Sequence, residues 1–489
     1  MFDLSSPALE TVAIASKCHI IVGMRYLLLV VCGWAMFAAG AACGAETRPN
    51  FVVILCDDLG YGDLASYGHR AIRTPHLDRL ASQGARFTRF YSASPVCSPS
   101  RAGLLTGRTP SRLGVYDWIP DGHAMHMQAG EVTIAQLLRD AGYATAMAGK
   151  WHLNGKFNSS EQPQPGDFGF DHWLATQNNA HPSHENPRNF VRNGQPVGEL
   201  KGYSCQVVAD EAIGWLRALP AAKPFFLYVA FHEPHEPVAS PSELVAGYPG
   251  TEPNEALYYA NVTNMDAAVG RLMAALDDLK LTDNTLVIFT SDNGPETLNR
   301  YGPGSARSYG SPGPLRGMKL WLYEGGIRVP GIVRFPGRIG PGQVLDEPVC
   351  SLDILPTLCE LAGVNPPSDR PLDGASFTPI FAGKPVARTT PLFWHYYRAW
   401  DSSPVAAMQE GDWVVLGYPT AGKPKPGRAE SADAQFIRSD LADFELYNLR
   451  QDLRQQENLA EQHPQKLREL AAKLVEKHRQ VISQAPMWE

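Results

Sequence analysis

A cysteine and an arginine four residues apart, Cys97 and Arg101, lie in a segment suited to handling an anion. Ser98 is a preferred helix N-cap and Pro99 loses no needed hydrogen bond at the first helical position, so we predict a helix start here. Cys97 would then precede a helix N-terminus, whose partial positive charge and free N–H groups favour an anion. Arg101, one turn further, would reach back toward Cys97 and act with it. The segment predicts a nucleophile at a sulfate or phosphate site; the alternative is an ordinary buried cysteine.

Acidic and amide side chains follow two apolar, strand-like runs. The first run ends in Asp57 and Asp58, and a later run is followed by Asp292 and Asn293. Ligands of open α/β sheets bind beyond the carboxyl ends of the strands. These hard oxygen donors suit Ca²⁺ or Mg²⁺, and no Cys/His spacing typical of zinc accompanies them. Either pair alone is explained as well by turns and caps, whereas the two pairs together favour a metal site.

Two further apolar runs also lead into chemically capable groups. One ends in Lys150 and His152, and the other enters a proline-rich loop that contains His232 and His235. Taken singly, Lys150 is explained as well by an exposed lysine, and the histidines are explained as well by buried histidines whose hydrogen bonds are satisfied. Two histidines three residues apart also suggest a metal pair, but no neighbouring cysteine or third histidine supports zinc. The convergence of four such runs predicts an active site at one edge of a sheet.

The order of the apolar runs predicts the fold. Near-continuous apolar runs, typical of strands buried on both faces, occupy residues 50–56, 144–148, 224–231 and 285–290. Helical patterns lie between them, at residues 131–141, 203–218 and 258–279. This alternation predicts an α/β fold with a large, mainly parallel sheet sandwiched by helices.

A smaller subdomain is predicted at the C-terminus. A Pro-, Gly- and Asp-rich connector at residues 363–388 precedes short strand-like runs and an amphipathic helical pattern. The strand-like runs are residues 392–397, 412–418 and 444–449, and the helix is residues 465–481. We therefore divide the chain into a catalytic domain at residues 48–384 and an antiparallel sheet-plus-helix subdomain at residues 385–489.

The N-terminal residues 1–45 have the pattern of an export signal. Met24 and Arg25 precede an uncharged apolar run at residues 26–42, which small residues follow. We expect cleavage and a secreted or periplasmic protein, with translation starting at Met1 or at Met24. An uncleaved membrane anchor and a lipoprotein modified at Cys43 are the alternatives.

Several segments together resemble the sulfatase family, the formylglycine-dependent, arylsulfatase-like, Cys-type members of the alkaline phosphatase superfamily. The most specific are residues 95–108, residues 142–152 with the string Gly-Lys-Trp-His, and residues 314–330 around Lys319. The resemblance extends from about residue 48 to residue 385 and implies the alkaline-phosphatase-like fold. One departure is that Leu320 and Trp321 stand where the family often has glycine and a small polar residue, which affects the pocket wall.

The resemblance implies a nucleophile and a metal. Cys97 would be oxidised to formylglycine (3-oxoalanine) by a formylglycine-generating enzyme acting in trans, and the hydrated aldehyde would attack sulfur. One Ca²⁺, or Mg²⁺, would be bound by Asp57, Asp58, Asp292, Asn293 and the modified residue 97. It would hold a sulfate oxygen and lower the pKa of the attacking hydroxyl.

The resemblance also implies roles for five basic residues. Lys150 and Lys319 would bind the sulfate, and Lys319 would stabilise charge on the leaving group. His152 would bond to the formylglycine hydroxyl and assist its later deprotonation. A histidine of the loop would contact the sulfate and protonate the leaving oxygen; His235 fits this position best and His232 is its rival.

The expected reaction is hydrolysis of a sulfate ester by S–O cleavage, on a sulfated polysaccharide or another sulfated carbohydrate or small molecule. One alternative is a phosphonate or phosphodiester hydrolase of the same superfamily. Another is a non-catalytic protein that binds sulfated glycans, if Cys97 is not converted. Residues 153–200 are either a rim of the pocket or an ordinary polar loop.

Composition excludes other classes. The 489 residues carry a net charge of −7 and no long basic run, so we expect no nucleic-acid partner. A chain that is 44% hydrophobic can bury a large core. The scattered cysteines do not resemble a disulfide framework, although Cys350 and Cys359 could pair. We expect no stable membrane contact once the signal is removed, and no oligomeric state follows.

Overall fold

The computed structural model describes residues 48–220, 222–401, 403–423 and 434–488, and it confirms the predicted α/β fold. Residues Pro49–Glu489 form one compact unit, and the predicted boundary at residue 385 stays a prediction. Within the described ranges, none of the helices combines the length and apolarity that crossing a bilayer requires. The predicted export signal and its alternatives, in residues 1–45, lie outside the described residues.

The large sheet is mixed, with a parallel centre built on its first strand. Its strands are β1 (Asn50–Asp57), β2 (Ala85–Tyr91), β3 (Ala144–Lys150), β4 (His172–Thr176), β5 (Val191–Arg192), β6 (Gln195–Pro196), β7 (Phe225–Pro234), β8 (Thr285–Ser291), β9 (Arg328–Arg334), β10 (Gln343–Leu345) and β11 (Val349–Cys350). They lie in the order β10-β2-β9-β8-β1-β7-β3-β4-β5-β6, and β11 pairs with β2. β7 and β8 flank β1 in parallel, and β3 is parallel to β7. The carboxyl ends of these four strands therefore meet at one edge.

Burial on both faces explains the continuous apolar runs. Along β1, Phe51 and Val53 enter the core on one face of the sheet, while Val52 and Ile54 enter the core on the other. Successive strand residues point to opposite faces, so a strand covered on both sides must be apolar at every position. All four predicted strands of this kind are present, each within three residues of its predicted ends.

Helices cover both faces of this sheet. The α-helices of the described residues, including those elsewhere in the fold, are α1 (Pro75–Gln83), α2 (Cys97–Thr106), α3 (Ile134–Asp140), α4 (Ser204–Ala218), α5 (Ser242–Val245), α6 (Pro253–Asp278), α7 (Leu298–Tyr301), α8 (Glu324–Ile327), α9 (Ile354–Ala362), α10 (Ala434–Ile437) and α11 (Pro464–Ser483). The predicted helix patterns correspond to α3, α4, α6 and α11. Pro464 is the first residue of α11, where its missing N–H costs nothing.

A small antiparallel sheet packs beside the start of α2. Its strands, in spatial order, are β12 (Leu392–His395), β13 (Ala406–Glu410), β14 (Trp413–Pro419) and β15 (Leu441–Asn448). Helix α11 packs on β13, β14 and β15. Trp394 and Met408 of this sheet share one apolar cluster with Val96 and Cys97. The predicted subdomain architecture is confirmed, although β13 was not predicted from the sequence. Cys350 and Cys359 are free thiols rather than a disulfide.

A buried ion-pair cluster ties the connector to α11. Asp373 accepts from Arg112 at 2.9 Å and from Lys477 of α11 at 2.8 Å. Burial raises the pKa of Asp373, but Arg112 and Lys477 outweigh it and bring the pKa down to about 2. The ionised carboxylate is therefore the form that the folded state stabilises.

We predict that Asp373→Ala lowers the free energy of unfolding by about 3–5 kcal/mol, because it leaves Arg112 buried without its carboxylate. The contribution of Asp373 is complete above its unfolded-state pKa of about 4. It is lost as the pH falls through about 2. Chemical denaturation at pH 7 and at pH 3 measures both effects. Asp440→Ala, which breaks the exposed pair with Arg479, is the matched control and should lose far less; equal losses would contradict the prediction.

Candidate active site

Strand ends bring the predicted carboxylates and lysines together. Asp57 ends β1 and Lys150 ends β3, and the Lys150 ammonium donates to Asp57 Oδ2 at 2.6 Å. Both side chains are fully buried. Burial alone would raise the pKa of Asp57, but Lys150, His235 and Arg101 hold it well below its ordinary value. Asp57 is therefore an anion held in the protein interior.

Cys97 lies at the start of α2 and lines a cavity that the strand ends also reach. The helix begins at Cys97 itself with Val96 as its N-cap, so the prediction that Ser98 caps the helix was wrong. The Ser98 hydroxyl instead accepts the N–H of Ile119 at 3.1 Å. Burial raises the pKa of the Cys97 thiol to about 12, against the lowering effect of Lys150 and Lys319. The unmodified thiol is thus protonated at neutral pH and is a weak nucleophile.

Arg101 organises the acidic groups beneath the cavity. Its Nε and Nη2 donate to Asp292 Oδ2 at 3.0 and 2.7 Å, and its Nη1 donates to the Lys150 carbonyl at 3.0 Å. The guanidinium also lies 3.8 Å from Asp57 Oδ1. Burial and the charge of Asp57 raise the pKa of Asp292 to about 7, even though Arg101 lowers it. Arg101 therefore acts on the site by holding carboxylates in place.

Asp58 links the two acidic strand ends. Its backbone has a φ of 65°, an uncommon conformation for a residue with a side chain. Its N–H donates to Asp292 Oδ1 at 3.2 Å, and Asn293 Nδ2 donates to Asp58 Oδ1 at 2.7 Å. The Lys319 ammonium contacts both Asp58 oxygens, at 2.7 and 2.8 Å. Lys319 thereby reaches the cluster from a separate part of the chain.

The donor set fits a hard divalent cation. Asp57 Oδ1 and Asn293 Oδ1 are buried acceptors without a hydrogen-bond partner in the described structure. Buried oxygens of this kind normally have a partner. Ligand atoms of Asp57, Asp58, Cys97 and His235 also lie within 4.8 Å of one another. Carboxylate and amide oxygens at such a point match the preferences of Ca²⁺ and Mg²⁺.

His152 offers an unused ring nitrogen to the cavity. Its Nε2 lies 3.1 Å from the Ile119 carbonyl, so Nε2 carries the proton and donates. Nδ1 is buried and has no partner in the described structure. Burial, with Lys150 adding to it, keeps the pKa of His152 well below its ordinary value. A neutral ring with a free Nδ1 lone pair can accept a proton.

The two loop histidines occupy different environments. His235 lines the cavity, and its Nε2 lies 3.6 Å from Asp58 Oδ2. His232 is buried beneath, where its Nε2 pairs with the Thr176 hydroxyl at 2.8 Å and its ring meets the edge of Phe190. Of the two, His235 is therefore the one that can reach a bound ligand.

The cavity has a volume of about 970 Å³, and part of its wall was missed by the sequence analysis. The unforeseen lining residues are Asp117, Trp118, Glu236, Glu296, Arg300, Arg307, Arg398, Trp400, Asp401 and Lys423. Glu236 and Glu296 stand a few residues beyond two of the predicted strands, but the others follow no strong apolar run. The i,i+4 spacing of Glu296 and Arg300 was a further local signal, and the two side chains pair at 2.7 Å. From residues 153–200, Asn178 and Asn179 reach the wall, and Asn179 also accepts from Lys150 at 3.3 Å.

Comparison with known proteins gives consistent matches. A family model described as Sulfatase matches residues 49–364. N-acetylgalactosamine-6-sulfatase of Canis lupus familiaris is 36% identical over 395 residues, which are 75% of this chain and 72% of that protein. Arylsulfatase A of Bos taurus is 37% identical over 394 residues, or 74% and 73% of the two chains. The solved structure of Ps i-CgsB in complex with k-i-k-neocarrahexaose has a TM-score of 0.76 at 26% identity, covering 90% of this chain and 94% of that chain.

We predict that Ca²⁺ or Mg²⁺ raises the melting temperature of protein that has been stripped with a chelator. At a concentration 100 times its Kd, a cation that binds only the folded state adds about 2.7 kcal/mol. Differential scanning fluorimetry across a cation titration measures this effect. Asn293→Ala removes an oxygen donor and should shift the midpoint of the titration to higher cation concentration. A melting temperature of the stripped protein that stays the same when either cation is added would contradict the prediction.

Proposed function

The chain belongs to the sulfatase family and is a sulfuric ester hydrolase, and we propose that it hydrolyses sulfate esters of carbohydrates with formylglycine derived from Cys97. The observation that carries the proposal is the position of Cys97. This residue starts α2 and lines the cavity, and its sulfur lies within 4.8 Å of ligand atoms of Asp57 and Asp58. A buried thiol with a raised pKa gains from conversion to a better nucleophile.

Formylglycine and a divalent cation would supply the reactive chemistry, and the residues of the chain would hold these two groups in position. Formylglycine would supply the hydroxyl of a hydrated aldehyde, and a divalent cation would lower the pKa of that hydroxyl and polarise the sulfate. Asp57, Asp58, Asp292 and Asn293 are the proposed ligands of Ca²⁺ or Mg²⁺. Arg101 fixes Asp292 through two hydrogen bonds, so this carboxylate is oriented before a substrate arrives.

Two lysines supply positive charge near the sulfate. Lys150 donates to Asp57, and Lys319 donates to Asp58 while lining the cavity. Ammonium groups fixed in a dry site stabilise the charge that develops on transferring and leaving oxygens, since little reorganisation is needed when the reaction occurs. We propose Lys150 and Lys319 as sulfate-binding residues on this basis.

Proton transfer is assigned to three groups. The free Nδ1 of His152 is the proposed acceptor for the proton that is released when sulfate departs. His235 and Lys319 lie on the side of Asp58 and are the two candidates for protonating the ester oxygen. His232, paired with Thr176, lies in the loop beneath them and is not proposed as the acid.

A carbohydrate substrate is favoured by two observations. The relatives include an N-acetylgalactosamine-6-sulfatase, and a similar solved structure holds an oligosaccharide. The cavity of this chain carries Trp118, 39% exposed, and Trp400 on its wall. Aromatic rings with accessible faces provide the apolar body and polar edge that suit a sugar.

We predict that Cys97→Ala abolishes sulfate ester hydrolysis because alanine carries no group that can be oxidised to an aldehyde. Cys97→Ser should abolish it as long as the serine stays unoxidised, since a single hydroxyl cannot form the geminal diol. Turnover of 4-nitrophenyl sulfate measures activity, and peptide mass spectrometry of residue 97 shows whether the thiol has become an aldehyde. Cys359→Ser, at a free cysteine outside the cavity lining, is the matched control and should keep activity. A parallel assay on a phosphodiester tests the alternative hydrolase. A fully active Cys97→Ala protein, or an aldehyde-bearing protein active on the phosphodiester alone, would contradict the proposal.

We predict that leaving-group dependence identifies the acid. Substituting the residue that protonates the ester oxygen should lower kcat/KM by about 10²–10⁴-fold for a sugar sulfate, because its alkoxide is a poor leaving group. The same substitution should lower kcat/KM much less for 4-nitrophenyl sulfate. Comparing kcat/KM of His235→Ala and Lys319→Ala on both substrates separates the candidates. Losses that are equal on both substrates for both variants would show that neither is the acid.

A further inference from the structure

The C-terminal part of the chain builds one wall of the cavity. Arg398 and Trp400 come from the segment after β12, and Lys423 follows β14. None of these residues has a role in the reaction proposed above. They face the same cavity as Cys97, so a substrate whose sulfate lies at Cys97 can extend toward them.

Most positive charges on the cavity wall are already neutralised. The ion pairs are Arg300–Glu296, Arg307–Glu236, Lys319–Asp58 and Arg398–Asp117. In addition, Asp117 accepts from the Tyr396 hydroxyl at 2.9 Å, and the guanidinium of Arg300 lies 4.7 Å from the Trp400 ring centroid. These groups give the wall its shape, and a ligand would have to compete with a carboxylate for each of them.

Lys423 differs from the other cations of the cavity. Its ammonium donates to the Asp401 carbonyl at 2.7 Å and to the Ser403 carbonyl. Carbonyl oxygens are neutral, and no carboxylate of a described residue forms an ion pair with Lys423. The ammonium has three donors, so one remains for a ligand. Burial lowers the pKa of Lys423 to about 8, partly offset by Asp401, which leaves it largely protonated at neutral pH.

We propose that Lys423 binds a second anionic group of the substrate, a carboxylate or a further sulfate on the sugar chain that carries the scissile sulfate. This inference rests on the proposed function and adds a requirement to it. A charge-assisted hydrogen bond in a partly buried site strengthens binding by about 10- to 100-fold. Trp118 and Trp400 present ring surface for the intervening sugar. The enzyme therefore selects saccharides with two acidic groups over saccharides with one.

The test measures binding in the Cys97→Ala background, where the ligand is not consumed. Three probes are compared by isothermal titration calorimetry: a disaccharide with one sulfate, the same disaccharide with two sulfates, and a monosulfated disaccharide that contains a uronic acid. At least one of the two dianionic probes should bind about tenfold more tightly than the monoanionic one. A preference for one of the two dianionic probes shows whether Lys423 binds a sulfate or a carboxylate.

Lys423→Met should remove most of that preference, and Lys423→Arg should restore it because the charge returns. Lys466→Met, at a partly exposed position of α11 where the side chain pairs with Glu469, is the matched control and should keep the preference. Circular dichroism establishes that each variant is folded.

The inference is overturned if the parent binds all three probes equally, binds none of them, or if Lys423→Met weakens all three by the same factor. Hydrolysis of 4-nitrophenyl sulfate by protein with the native Cys97 is measured separately. Failure of that assay counts against the proposed function, while the binding series still decides the role of Lys423.

Discussion

Three carboxylates buried at the ends of parallel strands are the constraint on which this structure depends. An isolated charge in a protein interior is costly unless it is paired. Three ion pairs offset this desolvation free energy: Arg101–Asp292, Lys150–Asp57 and Lys319–Asp58. Their cations come from a helix, a strand and a loop far apart in sequence. Sheet, helix and loop must therefore assemble together before the charges are compensated, and the same assembly forms the site.

The compensation is incomplete in a way that suits catalysis. Asp57 Oδ1, Asn293 Oδ1 and His152 Nδ1 are buried atoms without hydrogen-bond partners in the described structure. Two of them are oxygens of proposed cation ligands, and the third belongs to His152, the proposed proton acceptor, which lines the cavity. Natural proteins tolerate such unsatisfied atoms where a ligand completes them. Cys97 starts the helix whose Arg101 donates to Asp292, and its sulfur lies within 4.8 Å of a carboxylate oxygen of Asp57.

The sequence predicted the parts of the site that are coupled to the core. Strands such as β1 are apolar at every position because both faces are buried, so their ends, and the polar residues that follow, were readable. The helix start was misjudged by two residues: the N-cap is Val96 and not Ser98, and the Ser98 hydroxyl accepts the N–H of Ile119 instead. Cap preferences are local, and here a long-range hydrogen bond outweighed them.

The rest of the cavity wall lacked any such signal. Arg398, Trp400 and Lys423 lie in irregular segments around a small sheet, and only the packing of that sheet beside α2 brings them to the cavity. Strand β13, with its short and weakly apolar sequence, was missed for a related reason, since its burial comes from the apposed elements. Chemistry tied to strand ends is thus predictable, whereas the position of the remaining cavity wall depends on tertiary contacts.

The most direct test of the central claim is a crystal structure of the Cys97→Ala protein with Ca²⁺ and a sulfated saccharide. The account predicts a cation bound by oxygens of Asp57, Asp58, Asp292 and Asn293 at about 2.3–2.6 Å. It also predicts the sulfate between this cation, residue 97 and Lys319. A cation bound elsewhere, or a sulfate bound away from residue 97, would contradict it.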